Sequence, residues 1–382
     1  MSLMSVDELA CENYFLETHC RNSSGRYVVR LPFKMAKSKE LGYSKGLAIS
    51  SQIRMENRFE KNPMLKEKYH NFIKESIQLR HMELVPEKDL LKPVNECYYM
   101  PHHAVIRESS TTSLRVVFNA SQKSSTGVSL NDLLHTGPKL NSNLFDILIR
   151  FRKHLVCYVS DVEKMYRRIL VNKKDRDYQR IVWRTDPKLP LKTYRMRVVT
   201  DGTSSAPFLA VRTVRQLAID EKKKFPLAYD PLMHDLFMDD LVSGNKTISS
   251  AIEQIRDINN TFKSGGMHMR KWTSNIDEVL KEILPEDQQN TPIEFSQAEF
   301  VKVLGIQWSP LNDCFSFKVR LPPVEMEIET ISFDPNMEKS FVLYLFLLIV
   351  GYVKDSNGAE DLLLQNSWNS DTLSPAHGAN GV

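Results

Sequence analysis

Runs of apolar residues at two different spacings alternate along the first third of the chain. Residues 26–34 (RYVVRLPFK) are rich in β-branched residues, which is typical of a strand. Apolar residues in 63–80 recur at helical spacing and predict an amphipathic helix within a charged, mostly helical N-terminal region. The segments 102–108 (HHAVIRE) and 114–121 (LRVVFNAS) flank the turn-forming residues SSTTS, so we expect a β-hairpin there.

The rest of the chain continues this mixture of helices and strands. We expect a helix over 144–154, followed by a buried strand over 155–161 (LVCYVSD) that ends on Asp161. Two strands are predicted at 181–185 and 194–199, and a further strand pair at 300–310 and 314–319. A helix that begins with serine and proline is predicted at 204–224, and a helix that ends at two glycines is predicted at 248–264. The polar tail from Asp355 is expected to be disordered.

Length and charge narrow the class of protein only slightly. With 382 residues and 42% hydrophobic residues, the chain can form two or three subdomains around sizeable cores. Its formal charge of +4 does not distinguish a nucleic-acid-binding protein from other proteins. Residues 151–200, however, hold 14 Lys or Arg against 5 Asp or Glu. Such a basic segment suits a phosphate backbone, although a solvated basic face without a partner is the alternative.

Cysteine usage and the apolar segments favour a cytoplasmic protein. The five cysteines are widely spaced and lack histidines at ligand spacing, which argues against a disulfide framework or structural zinc. The acidic N-terminal segment does not resemble a signal peptide. The apolar run 341–353 is shorter than the roughly 20 residues that a helix needs to cross a membrane. We therefore expect neither a signal peptide nor a transmembrane helix.

The segment LFMDDLVSG (236–244) is the strongest candidate for chemistry. Asp239 and Asp240 lie between apolar residues, where two ionised carboxylates are costly to bury without cations. A tight hairpin between two strands would present both at its tip, where Mg²⁺ could bind their oxygen atoms. The alternative, a surface turn with solvated acids, is the commoner fate of an isolated Asp-Asp pair.

A second acid strengthens the metal-site interpretation. Asp161 follows an apolar strand and is itself followed by Tyr166 in YVSDVEKMY. Phosphoryl transfer by two metal ions needs carboxylates from separate elements that bridge both ions. Asp161 and Asp239 could converge in this way, with Tyr166 either beside the substrate or in the core.

The order of these motifs resembles that of reverse transcriptases. An acid followed by an aromatic residue, then a helix opened by serine and proline, then an aromatic–Met–Asp–Asp turn are typical of that class. Longer blocks are similar to the reverse transcriptase region of Pao/BEL-type LTR retrotransposons over about residues 8–325, in that family's order. They include CENYFLETHCRNSSGRYVVRLPFK, NPMLKEKYHNFIKE, YYMPHHAVIRESSTTSLRVVFNAS, LNDLLHTGP, SSAPFLAVRTV, GGMHMRKWTSN and VKVLGIQWSP.

The resemblance implies an α+β, right-hand polymerase fold with fingers, an antiparallel-sheet palm, a helical N-terminal extension and an incomplete thumb. The implied divisions are the extension (1–95), fingers (96–155), palm with a fingers insertion (156–245), remaining palm and primer-grip hairpin (246–325), and a divergent, truncated thumb with a disordered tail (326–382).

The resemblance also implies roles for individual residues. Asp161, Asp239 and Asp240, with the backbone carbonyl of Val162, would hold Mg²⁺ or Mn²⁺, and Lys271 would donate a proton to the pyrophosphate leaving group. The implied dNTP-binding residues are Arg107, Arg115, Tyr166, whose ring would exclude a ribose 2′-hydroxyl, and Gly202, which lets the backbone approach the nucleotide. Lys271 as an ordinary surface lysine is the alternative.

Two departures from the family pattern bear on activity. Asp201 stands where this family has phenylalanine, and a carboxylate there would repel a triphosphate. Beyond about Pro323 the family's thumb pattern is only faintly present. We also expect the protease, ribonuclease H and integrase of a retrotransposon polyprotein to be absent from this chain.

Three functional hypotheses result. The first is an RNA-directed DNA polymerase that uses an RNA or DNA template-primer and dNTPs, within a cytoplasmic virus-like particle in a full element. The second is a catalytically inactive remnant that retains the fold, with or without nucleic-acid binding. A metal-dependent nuclease is the third and is disfavoured, because Tyr166 and Arg115 have no obvious use in one.

Overall fold

The computed structural model describes residues 4–34, 40–106, 114–289, 301–304, 306–311, 313–320 and 361–365. This part of the chain is a mixed α+β protein with several small sheets. Its helices are α1 (Val6–Thr18), α2 (Lys45–Lys61), α3 (Pro63–Gln78), α4 (Glu87–Leu90), α5 (Leu130–Leu133), α6 (Leu144–Phe151), α7 (Met165–Arg168), α8 (Ala206–Glu221), α9 (Pro226–His234), α10 (Ile248–Ser264) and α11 (Asp277–Leu280).

The strands are short, and most pair antiparallel. They are β1 (Cys20–Arg21), β2 (Tyr27–Val29), β3 (Met82–Leu84), β4 (His102–Ile106), β5 (Leu114–Phe118), β6 (Val156–Val162), β7 (Leu170–Val171), β8 (Arg180–Trp183), β9 (Lys192–Met196), β10 (Leu236–Phe237), β11 (Asp240–Asn245), β12 (Met269–Ser274), β13 (Val301–Val303), β14 (Ile306–Ser309), β15 (Cys314–Arg320) and β16 (Asp361–Gln365). The sheet orders are β1-β2-β7, β10-β11-β6-β12, β13-β14-β15-β16, β3-β9-β8 and β4-β5.

The sheet β10-β11-β6-β12 is central because β6 is covered on both faces. Tyr158 packs into the main core, to which α8 and α10 also contribute. Cys157 and Val159 belong to a second cluster, with Phe151 of α6 and Trp308 of β14. Successive side chains of a strand point to opposite faces. Burial on both faces therefore explains why β6 reads as a nearly continuous apolar run.

The N-terminal helix α1 is part of the main core. Phe15 meets Phe208 of α8 edge to face, with ring centroids 6.2 Å apart. Close by, Arg212 of α8 donates to the Glu12 carboxylate at 2.6 Å. The helical N-terminal region predicted from the sequence thus packs directly against α8.

Most predicted elements are confirmed, with short differences at their ends. The hairpin over 102–121 is present as β4 and β5, which pair antiparallel from His102↔Phe118 to Ile106↔Leu114. The helices predicted at 63–80, 204–224 and 248–264 are α3, α8 and α10. The helix predicted over 144–154 ends at Phe151, and the strand predicted over 26–34 is confined to Tyr27–Val29.

Three elements differ from the prediction. Helix α9 was not predicted, because it carries Pro226 in its first turn and Pro231 inside it, and proline usually ends a helix. Within 300–310, where one strand was predicted, the described residues form two antiparallel strands, β13 and β14, and Leu304 at the end of β13 has a φ of +52°. The third is β16, which lies beyond Asp355, where no strand was predicted, and pairs with β15.

The described residues bear on the expectations about membrane-spanning helices and disulfide bonds. In the ranges given above, no helix combines the length and apolarity needed to cross a membrane. The apolar run 341–353 lies outside the described residues. The thiols of Cys11, Cys20, Cys97 and Cys157 are free.

Candidate active site

The pairing of β6 with β11 brings two acids together from distant parts of the sequence. Their register places Asp240 directly opposite Asp161. Strands β10 and β11 form the expected tight hairpin, with Phe237 opposite Asp240, so Asp239 lies at its tip. The turn needs a left-handed backbone at Met238, whose φ is +57°. Asn141 stabilises that turn, because its Oδ1 accepts from the Met238 amide at 3.2 Å.

Asp239 lies near two other negatively charged side chains, Asp161 and Asp201. Its backbone carbonyl accepts from the Val162 amide at 2.8 Å, which ties the turn to the end of β6. Burial among protein atoms is the main cause that raises the pKa of its carboxyl, and the charges of Asp161 and Asp201 raise it further. The Lys271 ammonium opposes this shift. A cation near Asp239 would therefore be stabilised.

Lys271 is the cation that this structure places on Asp161. It lies on β12, where the pairing with β6 shifts register between Arg270 and Thr273. Its backbone is left-handed, with φ +57°, as at a β-bulge that redirects a side chain. From there the Lys271 ammonium donates a hydrogen bond to the Asp161 carboxylate.

A cleft of about 730 Å³ opens beside these acids. Arg115 of β5, Tyr166 of α7, Asp201 and Asp239 line it, although they come from four separate segments. The sequence analysis singled out all four. Asp161, whose charge acts on Asp239, is the last residue but one of β6.

Helix α3 contributes a wall of this cleft that the sequence motifs did not indicate. Lys68, Phe72 and Glu75 line it, spaced three or four residues apart on one helical face. Glu75 binds the Lys164 ammonium at 2.6 Å across the cleft. The polar residues Lys68, Asn71 and Glu75, which lie beside the apolar face of α3, were the signal available in the sequence.

Charges of both signs meet around Asp201. Residue 201 is exposed at the cleft, but desolvation by the surrounding protein raises the pKa of its carboxyl, against the effects of Arg167 and Arg115. Burial is the main cause that lowers the pKa of Arg167, whose guanidinium lies 5.0 Å from the centre of the Phe72 ring. Asp201 thus faces two cations that partly neutralise it.

Tyr166 belongs to the cleft and also packs on the core. Its ring is half-buried against the main core. Burial raises the pKa of its hydroxyl, and the charges of Asp201 and Asp239 raise it further, so the phenol remains neutral. Tyr166 therefore contacts both the cleft and the main core.

Gly202 has a structural reason to be glycine. Its φ is +101°, and a Cβ atom there would lie 2.1 Å from the Phe118 carbonyl oxygen. The side chain of Asn131 fixes the loop by donating to the Gly202 carbonyl at 2.9 Å and accepting from the Ser204 amide at 2.8 Å. The close approach involves β5 of the same chain.

The remaining predicted residues are Val162 and Arg107. Val162 is buried as the last residue of β6. Arg107 lies outside the described residues.

The described residues include no group of three or more His, Cys, Asp or Glu side chains placed to share a metal ion. The donors present are nevertheless of the right kind. Asp161 and Asp239 offer carboxylate oxygens in a region where negative charge is under-compensated, which suits a hard divalent cation. Such a cation would compete with Lys271 for Asp161.

The matches of this chain to known proteins are among solved structures. No family model matches the chain, and no curated protein matches it. Among solved structures, the chain is similar to the selenomethionine-labelled CSH mutant of the prototype foamy virus protease-reverse transcriptase, at 13% identity and a TM-score of 0.41. The similarity covers 55% of this chain and 24% of that one, so the chain spans about a quarter of that protein. Similarity at this level does not assign a function.

We expect Gly202→Ala to destabilise the fold more than Gly127→Ala does. Gly127 also has a left-handed φ, +78°, but has open space around its Cα. Alanine at either position should cost about 1–2 kcal/mol for the left-handed backbone. At Gly202 the overlap with Phe118 should cost roughly 1–3 kcal/mol more. Urea denaturation of both variants measures the difference, and equal losses would contradict this account of Gly202.

Proposed function

We propose that this chain is the reverse transcriptase domain of a Pao/BEL-type LTR retrotransposon. It would be an RNA-directed DNA polymerase that adds dNTPs to a primer 3′-hydroxyl on an RNA or DNA template. One observation carries the proposal: Arg115, Tyr166 and Asp239 line one cleft next to Asp161, although they lie far apart in sequence. The motif order in the sequence supports the same function.

In this proposal the fold is a right hand. The sheet β10-β11-β6-β12 would be the palm, and 96–155 with the hairpin β8-β9 would belong to the fingers. The hairpin β13-β14 would grip the primer terminus. The thumb would be incomplete beyond residue 326.

The metal-binding residues of the proposed enzyme are Asp161, Asp239 and Asp240, with the Val162 carbonyl. Bound Mg²⁺ or Mn²⁺ ions would activate the primer hydroxyl and stabilise the leaving pyrophosphate. Lys271, whose ammonium binds Asp161, would give up that carboxylate to a cation and would supply the proton for the pyrophosphate leaving group.

The nucleotide would occupy the cleft of about 730 Å³. The Arg115 guanidinium would contact the triphosphate, since its planar donors match phosphate oxygens. Arg107 would be a second cation for the triphosphate. The Tyr166 ring would lie under the sugar and exclude a 2′-hydroxyl. Gly202 would let the loop lie close to the nucleotide, in addition to its contact with Phe118.

The second candidate function is a catalytically inactive remnant that retains the fold. Two observations favour it. Lys271 binds a carboxylate that a metal ion would need, and Asp201 adds a negative charge where a triphosphate would lie. The active polymerase and the inactive remnant require the same fold, so only a measurement of catalytic turnover distinguishes them.

Primer extension tests the proposed function directly. With poly(rA)/oligo(dT), dTTP and Mg²⁺ or Mn²⁺, we expect extension by the full chain and its loss in EDTA. Asp239→Asn should reduce the rate by about 10²-fold or more, because it removes a charged group from the reacting centre. The matched control is Asp230→Asn, which removes an exposed acid outside the cleft and should leave the rate unchanged. No extension by a folded chain that binds the primer-template would favour the remnant.

Tyr166 should determine sugar selection by volume. Tyr166→Ala should lower the ratio of kcat/KM for dNTP to that for rNTP by about tenfold or more, since a hydroxyl could then enter the space of the ring. Tyr166→Phe keeps the ring and should keep the ratio. The two ratios are measured by steady-state single-nucleotide incorporation. An unchanged ratio in Tyr166→Ala would assign the ring to the core alone.

Asp201 should weaken nucleotide binding. At an effective dielectric constant of about 20, two like charges about 4 Å apart repel by on the order of 4 kcal/mol. Arg115 and Arg167 offset part of this repulsion. Asp201→Gln, or Asp201→Phe, should therefore lower KM for dNTP by about tenfold, whereas Asp230→Asn should not. Because the pKa of Asp201 is raised, the difference should shrink as the pH falls through that pKa, when wild-type Asp201 also becomes neutral. A KM unchanged by Asp201→Gln would remove Asp201 from the nucleotide site.

A further inference from the structure

A second cleft, of about 440 Å³, lies on the sheet β3-β9-β8 beside α4. It shares no lining residue with the candidate active site, as far as the structure describes either cleft. Five cations and two carboxylates line it, so positive charge is in surplus. The cations are Lys88, Lys92, Lys173, Arg176 and Arg195, and the carboxylates are Glu83 and Asp89.

Three guanidinium groups share one carboxylate at this cleft. Arg195 Nε lies 2.8 Å from Glu83 Oε1, Arg176 Nη1 lies 3.3 Å from the same oxygen, and Arg197 Nε lies 3.2 Å from Oε2. One negative charge cannot neutralise three positive ones. Asp89 relieves Arg195 with a contact of 2.9 Å. Arg176 and Arg197 remain under-compensated.

A third acid next to the cleft, Asp177, is already paired with basic side chains. Asp177 is buried and is contacted by Lys92 at 2.6 Å, by Arg180 at 2.9 Å and by Arg195 at 3.0 Å. It therefore adds no free negative charge. Burial is the main cause that lowers the pKa of Arg176. The Glu83 carboxylate raises this pKa, and the charges of Arg197 and Arg195 lower it.

Lys88 and Lys173 stand exposed at the rim of the cleft. Neither takes part in an ion pair with a described residue. Their ammonium groups can thus turn towards a ligand without breaking an existing contact. The apolar residues of the lining are Leu84 and Pro86, so among the described residues of this cleft no aromatic ring offers a surface on which a base could stack.

We propose that this second cleft binds a run of closely spaced phosphate groups. A rigid floor of guanidinium groups suits phosphate oxygens, and two mobile ammonium groups at the rim can follow successive charges. Without a stacking surface, recognition would be by phosphate and not by base. An inorganic oligophosphate and a single-stranded nucleic-acid backbone share this chemistry. The proposal does not depend on polymerase activity, because the two clefts have separate linings.

The test uses the full chain and sodium tripolyphosphate as the probe, with binding measured by isothermal titration calorimetry. The double variant Lys88→Glu/Lys173→Glu should weaken binding at this site by about tenfold or more. Its matched control, Lys223→Glu/Lys246→Glu, makes the same change in net charge at exposed lysines outside the cleft and should change the affinity less than about twofold. Circular dichroism and Tm check that both variants are folded, as the exposure of the substituted residues leads us to expect.

Arg115→Ala separates this site from the candidate active site. It should leave the tripolyphosphate site sensitive to Lys88 and Lys173 intact, whether or not the chain is a polymerase. A labelled oligothymidylate then distinguishes the ligand sources. If tripolyphosphate displaces the oligothymidylate from the wild-type chain but not from the Lys88→Glu/Lys173→Glu variant, the site binds a nucleic-acid backbone. If the oligothymidylate binds elsewhere on the chain, the site binds free oligophosphates. Absence of tripolyphosphate binding in wild type, or equal weakening by the two double variants, would overturn the proposal.

Discussion

The register between β6 and β11 is the constraint on which the candidate site depends. Six residue pairs, from Asp240↔Asp161 to Asn245↔Val156, align the two strands. A slip by one residue would exchange the two faces of a strand. Here both faces are buried, one in the main core through Tyr158 and the other against Trp308 through Val159. Packing on both sides therefore fixes where Asp161 and Asp240 meet.

That fixed geometry has an electrostatic cost, which neighbouring cations offset. Asp161 and Asp201 lie close enough to Asp239 for their charges to act on its carboxyl. Lys271 compensates Asp161, and Arg167 compensates Asp201. Each of these cations reaches its acid from a different element, β12 or α7. The negative charges at the cleft are thus partly offset by tertiary contacts and not by neighbours in sequence.

Local features of the site could be predicted from the sequence, and long-range ones could not. The hairpin at Asp239 and the end of β6 at Asp161 follow from apolar runs bounded by polar residues. The left-handed backbone of Lys271 has no such signal, because Lys has no preference for positive φ. The wall formed by Lys68 depends on how α3 packs, which helical periodicity does not specify. Helix α9 was missed because two prolines outweighed its apolar residues.

The two proposed ligand sites differ in how their charges are arranged. In the first, the acids Asp201 and Asp239 lie near the cations Arg115 and Arg167, an arrangement that suits the proposed ligand, which carries both phosphate and a cation. In the second, the carboxylates are already paired with basic side chains, and the surplus positive charge has no acidic partner among the described residues. The ligand proposed for the second cleft therefore carries negative charge alone. The arrangement of carboxylates, more than the number of basic residues, distinguishes the two proposals.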